Sequence, residues 1–186
     1  MTKQISIIYH SSAGHTKAVA EIIARRIEAG NVKLHLMSID QAKTNMTLLH
    51  DSDTIVFGCP TMFGSPSSAF KNFMESTGVF WYKQLWKNKF AAGFTVSSSV
   101  GGDKLNTLMS LSLFAAQHSM FWISLGVLPH YIDDQQTDGQ NRLASYLGLM
   151  IQSDNSREMI HPFATGDILT AELFADRILQ TTLNTN

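Results

Sequence analysis

The sequence is poor in several features that would place it in other classes of protein. Cys59 is the single cysteine among 186 residues, so no internal disulfide can form and an oxidising compartment is not indicated. The 14 basic and 15 acidic side chains nearly balance and form no long block, which argues against nucleic acid or a polybasic membrane patch as partners. No His-Glu-x-x-His or Cys-x-x-Cys motif occurs, so we expect no metal site.

Long hydrophobic runs are also missing. The longest, Met120 to Leu128, is interrupted by Ser124 and Gly126 and is too short to span a bilayer. The first strand-like run, about five residues long, is shorter than the apolar segment of a secretory signal peptide. We therefore expect a cytoplasmic protein, and the length and the 44% hydrophobic content predict a single domain over residues 1–186.

The sequence does contain an alternation of strand-like and helix-like segments. Apolar runs predict five strands, at residues 5–9, 32–36, 53–58, 90–96 and 121–125. Apolar side chains at helical spacing predict a helix ending near Gly30, one that begins with Ser65 as N-cap and ends near Gly78, one over 103–117 and one over 167–182. Residues 39–50 predict a short helix or a loop, and residues 129–166 are irregular apart from a short apolar segment at 147–151.

This alternation predicts an α/β fold with a doubly wound five-stranded parallel sheet between two layers of helices, an α/β/α sandwich. Because the chain shows no paired mononucleotide-binding halves, we expect the strand order 2-1-3-4-5. In that order the loops after strands one, three and four meet at one crevice. These loops cover residues 10–16, 60–65 and 97–102, and all three are rich in Ser, Thr, Gly or Pro.

The first of these loops, from Ser11 to Thr16, is suited to binding a phosphate. It leads into a helix, whose first N–H groups lack partners and whose dipole places positive charge there. The hydroxyl groups of the loop add donors, so a phosphate monoester could bind without lysine or arginine. It is neither a Walker loop nor a dinucleotide fingerprint, because the Gly-Lys-Ser/Thr ending and two of the three glycines are missing. A plain strand–helix turn capped by serine is the alternative interpretation.

A phosphate site with two further loops beyond it suits a ligand with a phosphate tail and a planar head, which is the shape of FMN. Thr61 and Phe63 would offer it a hydroxyl group and an aromatic edge, and backbone N–H groups of the second and third loops would contact the polar rim of the ring. Phe63 could equally be a surface aromatic packed under its own turn. Cys59, at the end of a buried strand, is expected to be a small apolar filler.

Several motifs, spread over most of the chain, resemble those of a known protein family. They are Ser11-x-x-Gly14-His15, Gly58-x-Pro60-Thr61-x-Phe63-Gly64, Phe73-x-x-x-Thr77-Gly78-x-x-Trp81 followed by Lys89, Gly101-Gly102, and His118-Ser119-Met120. With them the chain resembles the flavodoxin-like fold and, within it, the flavin-dependent NAD(P)H:quinone oxidoreductases historically called tryptophan-repressor-binding proteins. The second and third motifs are fairly specific, whereas the first is shared by many flavodoxin-like proteins.

The resemblance implies a bound FMN, NAD(P)H as electron donor, and a ping-pong reaction in which a quinone receives two electrons. It implies a homo-oligomer, a dimer or a tetramer, that builds each site from more than one subunit, with Trp81 beside the substrate cavity. His118 would lie close to the flavin and give a proton or hydrogen bond to the quinone oxygen. The cofactor-binding residues would be Ser11, Ser12, Ala13, Gly14, His15, Thr16, Pro60, Thr61, Met62, Phe63, Gly64, Val96, Ser97, Ser98, Ser99, Val100, Gly101, Gly102 and His118.

Other interpretations stay open. His118 could instead be a histidine placed favourably at a helix C-terminus. The chain also departs from the family pattern at Met62, where arginine is usual, at Ala13, where an aromatic is usual, and at Ser97–Ser99, where glycine is more frequent. These changes concern the cavity over the flavin, so a flavin-binding protein without catalysis is one alternative, and an FMN reductase or azoreductase is another. A flavodoxin-type electron carrier is a third, although a net charge of −1 offers little electrostatic steering.

Overall fold

The computed structural model describes residues 2–135, 137–154 and 163–184. Within them the strands are β1 (Gln4–Tyr9), β2 (Lys33–Ser38), β3 (Thr54–Met62), β4 (Ser65–Pro66), β5 (Phe90–Ser97), β6 (Phe121–Trp122), β7 (His130–Tyr131), β8 (Gly139–Gln140) and β9 (Leu149–Gln152). The helices are α1 (His15–Glu28), α2 (Ile39–Thr44), α3 (Met46–Asp51), α4 (Ser68–Ser76), α5 (Gly78–Tyr82), α6 (Lys104–Gln117) and α7 (Thr165–Leu183). No helix in these ranges is long and apolar enough to cross a membrane.

The main sheet confirms the predicted fold class and strand order. Strands β2, β1, β3 and β5 lie side by side and pair in parallel, and β6 and β9 share the far edge of β5. The predicted fifth strand over residues 121–125 was wrong in extent. β6 pairs only with Phe90 and Ala91, and β9 pairs with the Phe94–Ser97 segment of the same strand. The N–H of Ile123 still donates to the carbonyl of Ala91 at 2.7 Å, and the chain then leaves the sheet until β9. The antiparallel pair of β7 and β8 lies between these two points.

The chain between β3 and α4 also differs from the prediction. Ser65 does not cap a helix, because Ser65 and Pro66 pair antiparallel with Met62 and Thr61. Phe63 and Gly64 join the two short strands with φ angles of 50° and 71°, as a two-residue hairpin turn with left-handed backbone requires. The N-cap of α4 is Ser67, whose hydroxyl accepts a hydrogen bond from the N–H of Phe70.

Apolar side chains fill both faces of the sheet, because successive residues of a strand point to opposite sides. One core lies against α1 and α7 and includes Ile23 and Phe174. The other lies against α2, α4 and α6 and includes Phe57 and Trp86. Cys59 is fully buried in the second core, and burial raises the pKa of its thiol to about 12, which is consistent with a filler and not with a nucleophile. The two helical layers leave the carboxyl ends of β1, β3 and β5 open at one edge of the sheet.

Candidate functional site

A crevice lies at the carboxyl ends of β1, β3 and β5, where the three loops singled out in the sequence come together. Including its open mouth, it holds about 560 Å³ of space. Its lining residues are Ser11, Ser12, Ala13, His15, Thr16, Pro60, Thr61, Met62, Val96, Ser97, Ser98 and Ser153. The strand order places these segments side by side, as expected at the switch point of a doubly wound sheet.

The first loop presents an open helix N-terminus to this crevice. Gly14 is the N-cap of α1 with a φ of 91°, a conformation that glycine adopts without strain, and no side chain caps the helix. The first N–H groups of α1 are therefore free to bind an anion. Among the described residues, the buried hydroxyl of Ser11 and the buried Nδ1 of His15 have no hydrogen-bond partner. Unsatisfied polar atoms beside an uncapped helix fit the phosphate of FMN better than they fit a closed structural turn.

The second loop is anchored by buried hydroxyl groups. The Oγ1 of Thr61 donates to the Oγ1 of Thr107 at 2.8 Å, and its single proton is thereby used, so it accepts the hydrogen bond from the Oγ1 of Thr95 at 2.7 Å. These bonds tie β3 to β5 and α6 directly beneath the crevice. Beyond Thr61, the side chain of Phe63 is fully exposed at the hairpin tip. The interpretation that Phe63 packs under its own turn is therefore wrong.

The third loop is held in shape by Gly102 and Lys104. A Cβ atom at Gly102, whose φ is 55°, would lie 2.8 Å from the Oγ of Ser97, so only glycine fits there. The ammonium group of Lys104 is buried and donates to the Oγ of Ser97 at 3.0 Å, to the carbonyl of Val100 at 3.0 Å and to the carbonyl of Ser99. Burial lowers the pKa of Lys104 to about 8, although the carboxylate of Asp167 opposes this shift.

A buried polar network supports the third loop from behind. The guanidinium of Arg142 pairs with the carboxylate of Asp167 at 2.8 Å, and the backbone N–H of Gln152 donates to the same carboxylate at 3.0 Å. The side-chain amide of Gln152 donates to the carbonyl of Ser98 at 2.9 Å. Burial raises the pKa of Asp167, while the hydrogen bonds from Arg142 and Gln152 lower it. The carbonyl of Ser98 in the third loop is thus hydrogen-bonded to a side chain that this network positions.

His118 lies away from the crevice within this chain. It follows α6, whose 14 residues span roughly 20 Å, and the crevice loop precedes the same helix. Its side chain is 1% exposed, and its Nε2 lies 3.0 Å from the Oγ1 of Thr77. The imidazole ring packs 4.4 Å from Trp86 and 4.7 Å from Phe114, between ring centroids. Burial lowers its pKa to about 4, so the ring is neutral at pH 7 and this position argues against donation of a proton to a quinone.

The remaining candidates are distributed around the crevice. Trp81 lies on α5, is about half exposed and is not among the residues that line the crevice. Gly14, Phe63 and Gly64 shape the first two loops without lining the crevice themselves. The same holds for the Ser99–Gly102 segment of the third loop.

Sequence reasoning missed Ser153, Lys104 and the Arg142–Asp167 pair. Ser153 follows β9, which the sequence indicated only as a short apolar segment at 147–151 and not as a strand of the sheet, so Ser153 was not placed at the crevice. Lys104 did leave a signal, because a lysine in the first turn of a helix opposes the helix dipole and calls for an explanation. No group of three or more His, Cys, Asp or Glu residues in the described ranges could hold a metal ion.

The open parallel sheet and the three-loop crevice at its switch point define the class of flavodoxin-like proteins. The family model described as NADPH-dependent FMN reductase matches residues 40–129. The chain is 33% identical to a flavodoxin, FldP, of Pseudomonas aeruginosa over 96% of this chain and 95% of that protein. It is also 33% identical to an NAD(P)H dehydrogenase (quinone) of Archaeoglobus fulgidus, over 66% of this chain and 76% of that protein.

A solved structure agrees with these relatives. The crystal structure of a WrbA-like flavodoxin from Agrobacterium tumefaciens superposes with a TM-score of 0.77 at 31% identity, and it covers all of both chains. The chain belongs to the flavodoxin-like family, in the group of WrbA-type NAD(P)H:quinone oxidoreductases.

Proposed function

We propose that this chain is an FMN-dependent oxidoreductase that passes two electrons from NAD(P)H to a quinone-like acceptor by a ping-pong mechanism. The observation that carries the proposal is the crevice at the sheet's switch point, with an uncapped α1 N-terminus and the unpartnered hydroxyl of Ser11 at one end. Relatives named as quinone-dependent enzymes and the matching FMN reductase family support the chemistry.

In this proposal the first loop binds the phosphate of FMN. The N–H groups at the start of α1 and the hydroxyl groups of Ser11, Ser12 and Thr16 supply donors to a dianion. Thr61, fixed by its bonds to Thr95 and Thr107, holds the second loop against the ring. The backbone of the third loop, shaped by Gly102, contacts the polar edge of the ring.

When bound, FMN supplies the two-electron chemistry by accepting a hydride from nicotinamide and returning it to the acceptor. The protein's part is to bind and orient. Among the described residues that line the crevice, His15 is the one with a titratable side chain, and the crevice is open to solvent. The proton that a quinone oxygen needs therefore comes from water at the open mouth, since His118 is buried at the far end of α6.

An electron carrier is the second candidate, because one relative over nearly the whole chain is named a flavodoxin. Carriers rely on charge to steer docking, and the net charge of this chain is −1, which favours the enzyme. A homo-oligomeric assembly that completes the site, with Trp81 at the substrate cavity, and a cytoplasmic location are parts of the same proposal. They are carried by the family resemblance and not by the geometry of one chain.

The deciding experiment is steady-state oxidation of NADH and of NADPH by FMN-loaded protein with benzoquinone as acceptor. Turnover with two-electron stoichiometry supports the enzyme. One-electron reduction without nicotinamide oxidation supports the carrier, and bound flavin with neither behaviour supports a non-catalytic flavin-binding protein. Protein that stays colourless after incubation with excess FMN, with no binding heat in calorimetry, contradicts all three.

The phosphate assignment has its own test. The double variant Ser11→Ala, Thr16→Ala removes two hydroxyl donors at the start of α1 and should weaken FMN binding at least tenfold. The matched control Ser112→Ala, Thr44→Ala removes two hydroxyl groups outside the crevice lining and should leave the dissociation constant unchanged. Equal affinities for wild type and the first double variant would refute the assignment.

A further inference from the structure

Lys104 is a buried cation that lies directly behind the crevice. It is the first residue of α6 and its side chain is 0% exposed. All three N–H donors of its ammonium group are used by the third loop, on the hydroxyl of Ser97 and the carbonyls of Ser99 and Val100. The cation is therefore locked directly behind a residue that lines the crevice.

Fold stability does not explain this arrangement. Burial of an ammonium group is unfavourable, as its lowered pKa of about 8 reflects, and a cation in the first turn of a helix opposes the dipole. The two carbonyls that it satisfies belong to Ser99 and Val100, which are exposed and could bond to water instead. A costly buried charge that the backbone does not need is typical of a functional site.

The charge of Lys104 is also not neutralised by an ion pair among the described residues. The nearest carboxylate in the same network, that of Asp167, pairs with Arg142 at 2.8 Å. Lys104, Arg142 and Asp167 together carry a net charge of +1 behind the third loop, and these are the charged groups that act on Lys104 from the elements packed against it. Among the described groups that act on Lys104, positive charge therefore exceeds negative charge.

We propose that Lys104 sets the ease of flavin reduction by stabilising the negative charge that the ring acquires. The inference rests on the proposed binding of FMN. Transfer of a hydride from NAD(P)H brings two electrons and one proton to the ring, which gains one negative charge, while the nicotinamide leaves as the oxidised cation. Ser97 connects the charge of Lys104 to the ring. Its oxygen accepts a hydrogen bond from Lys104, and its own O–H makes only a weak 3.5 Å contact with the carbonyl of Ser99. That O–H can turn towards the ring.

The test compares affinities for the two redox states of FMN. In Lys104→Gln the side-chain amide keeps N–H donors for the loop but the positive charge is lost. We expect the ratio of the dissociation constants for oxidised and reduced FMN to fall at least tenfold, which equals a lowering of the two-electron potential by about 30 mV. Lys104→Arg keeps the charge and should keep most of the ratio. Both constants are measured by binding titration, independently of turnover.

Lys89→Gln is the matched control. Lys89 is also partly buried, donates to the carbonyl of Ser52 at 2.7 Å and has a pKa lowered by burial, but it precedes β5 at the opposite end of the sheet. This variant should leave the ratio unchanged. Lys104→Met, whose unbranched side chain fits the same channel, is the second neutral variant, and thermal melting of the apoproteins shows which variants are folded.

The outcomes separate this inference from the proposed function. If the wild type binds no FMN, the proposed function and this inference fall together. If the wild type binds FMN and the neutral variants keep its ratio, only this inference fails. Equal weakening of both redox states also overturns it, because Lys104 would then act on the phosphate or on loop shape and not on the charge of the ring.

Discussion

A buried titratable side chain lies at each end of α6, and the two side chains have very different surroundings. At the first residue, Lys104 is surrounded by three oxygen acceptors of a loop beside the crevice. Just past the last residue, His118 is surrounded by aromatic rings and has one hydrogen-bond partner, Thr77. Burial lowers the pKa of both side chains, to about 8 for Lys104 and to about 4 for His118. At pH 7 the first is therefore charged and the second is neutral.

This difference shows how a buried residue of a functional site can be told apart from a buried residue of the hydrophobic core. A neutral histidine among aromatic rings contributes packing, so its removal should cost stability and leave the crevice unaffected. A buried lysine supported by polar atoms costs stability, so its removal should cost function. Mutations and changes of pH can test the surroundings of His118 and those of Lys104 separately. We expect the effects on the free energy of unfolding to decline from the His118 end of α6 to the Lys104 end.

The largest effect is expected for Trp86→Ala. Trp86 is fully buried and packs on Phe57, Phe80, Phe114 and His118. Loss of this ring leaves a cavity and should lower the free energy of unfolding by about 3–5 kcal/mol in urea titrations. The control is Trp81→Ala at a half-exposed ring, which should cost far less. Similar losses for both would mean that the aromatic cluster does not hold the C-terminal end of α6.

Acid should destabilise the protein through His118. Its folded pKa of about 4 lies below the unfolded value near 6.5, so the unfolded state binds the proton first as pH falls. The stability that the neutral His118 ring contributes to the folded state is fully present above about pH 6.5 and is lost as the pH falls from 6.5 towards 4. It should amount to about 2–3 kcal/mol between pH 7 and pH 4.5, measured by urea unfolding.

His118→Phe is the variant that isolates this term. It keeps an aromatic ring but removes the proton-binding site, so the fall in stability between pH 7 and pH 4.5 should shrink. His50→Gln, at an exposed histidine, is the control and should keep the wild-type profile. A His118→Phe profile parallel to the wild type would show that His118 is not the acid-sensitive group.

Thr77→Val should lower the free energy of unfolding by less than the protonation of His118 does and by more than Lys104→Met does. The Oγ1 of Thr77 donates to the carbonyl of Met74 at 2.7 Å, so it is available as an acceptor for Nε2–H of His118. Valine leaves that buried N–H without a partner, and the free energy of unfolding should fall by about 1–2 kcal/mol. Thr77→Ser retains the hydroxyl and should retain most of the stability. A valine variant as stable as the wild type would mean that the proton is on Nδ1 instead.

The smallest effect on stability is expected for Lys104→Met. The folded pKa of Lys104 lies below its unfolded value near 10.4, so the charged form is disfavoured by folding at pH 7. Replacement of a buried charge by an apolar side chain of similar length should change the free energy of unfolding of the apoprotein by less than about 1 kcal/mol, or raise it. A loss above about 2 kcal/mol in urea titrations would show that Lys104 is required to fold the third loop.

Much of the fold could be predicted because its signals are local. Apolar runs between helical segments indicate a parallel sheet, and the absence of paired halves selects the strand order. The fifth strand could not be delimited in this way. Ile123 and Leu125 are buried like strand residues, but the N–H of Leu125 bonds to Tyr146 instead of to β5, and the chain pairs with β5 again only at Leu149. A hydrophobic pattern in the sequence indicates which residues are buried, but not which part of the chain packs against them.

The site was predictable to the extent that it consists of loops that follow strands. Ser11, Thr61 and Ser97 could be placed together from strand order alone. The roles of Lys104 and His118 could not be predicted, because each depends on the groups that pack around its own end of α6. A lysine in the first turn of a helix indicates an unusual environment but does not show which groups surround it, and a histidine that the family resemblance places near the flavin lies in an aromatic cluster in this chain.

Cys59 makes the molecule convenient for spectroscopy. Its sulfur is fully buried and stays protonated at neutral pH, so maleimides and nitroxide reagents should leave it unmodified. A cysteine introduced in place of the exposed Phe63 would then be the one thiol open to labelling. A fluorophore at that hairpin tip would report the arrival of an oxidant or of a second subunit without any background from the native chain.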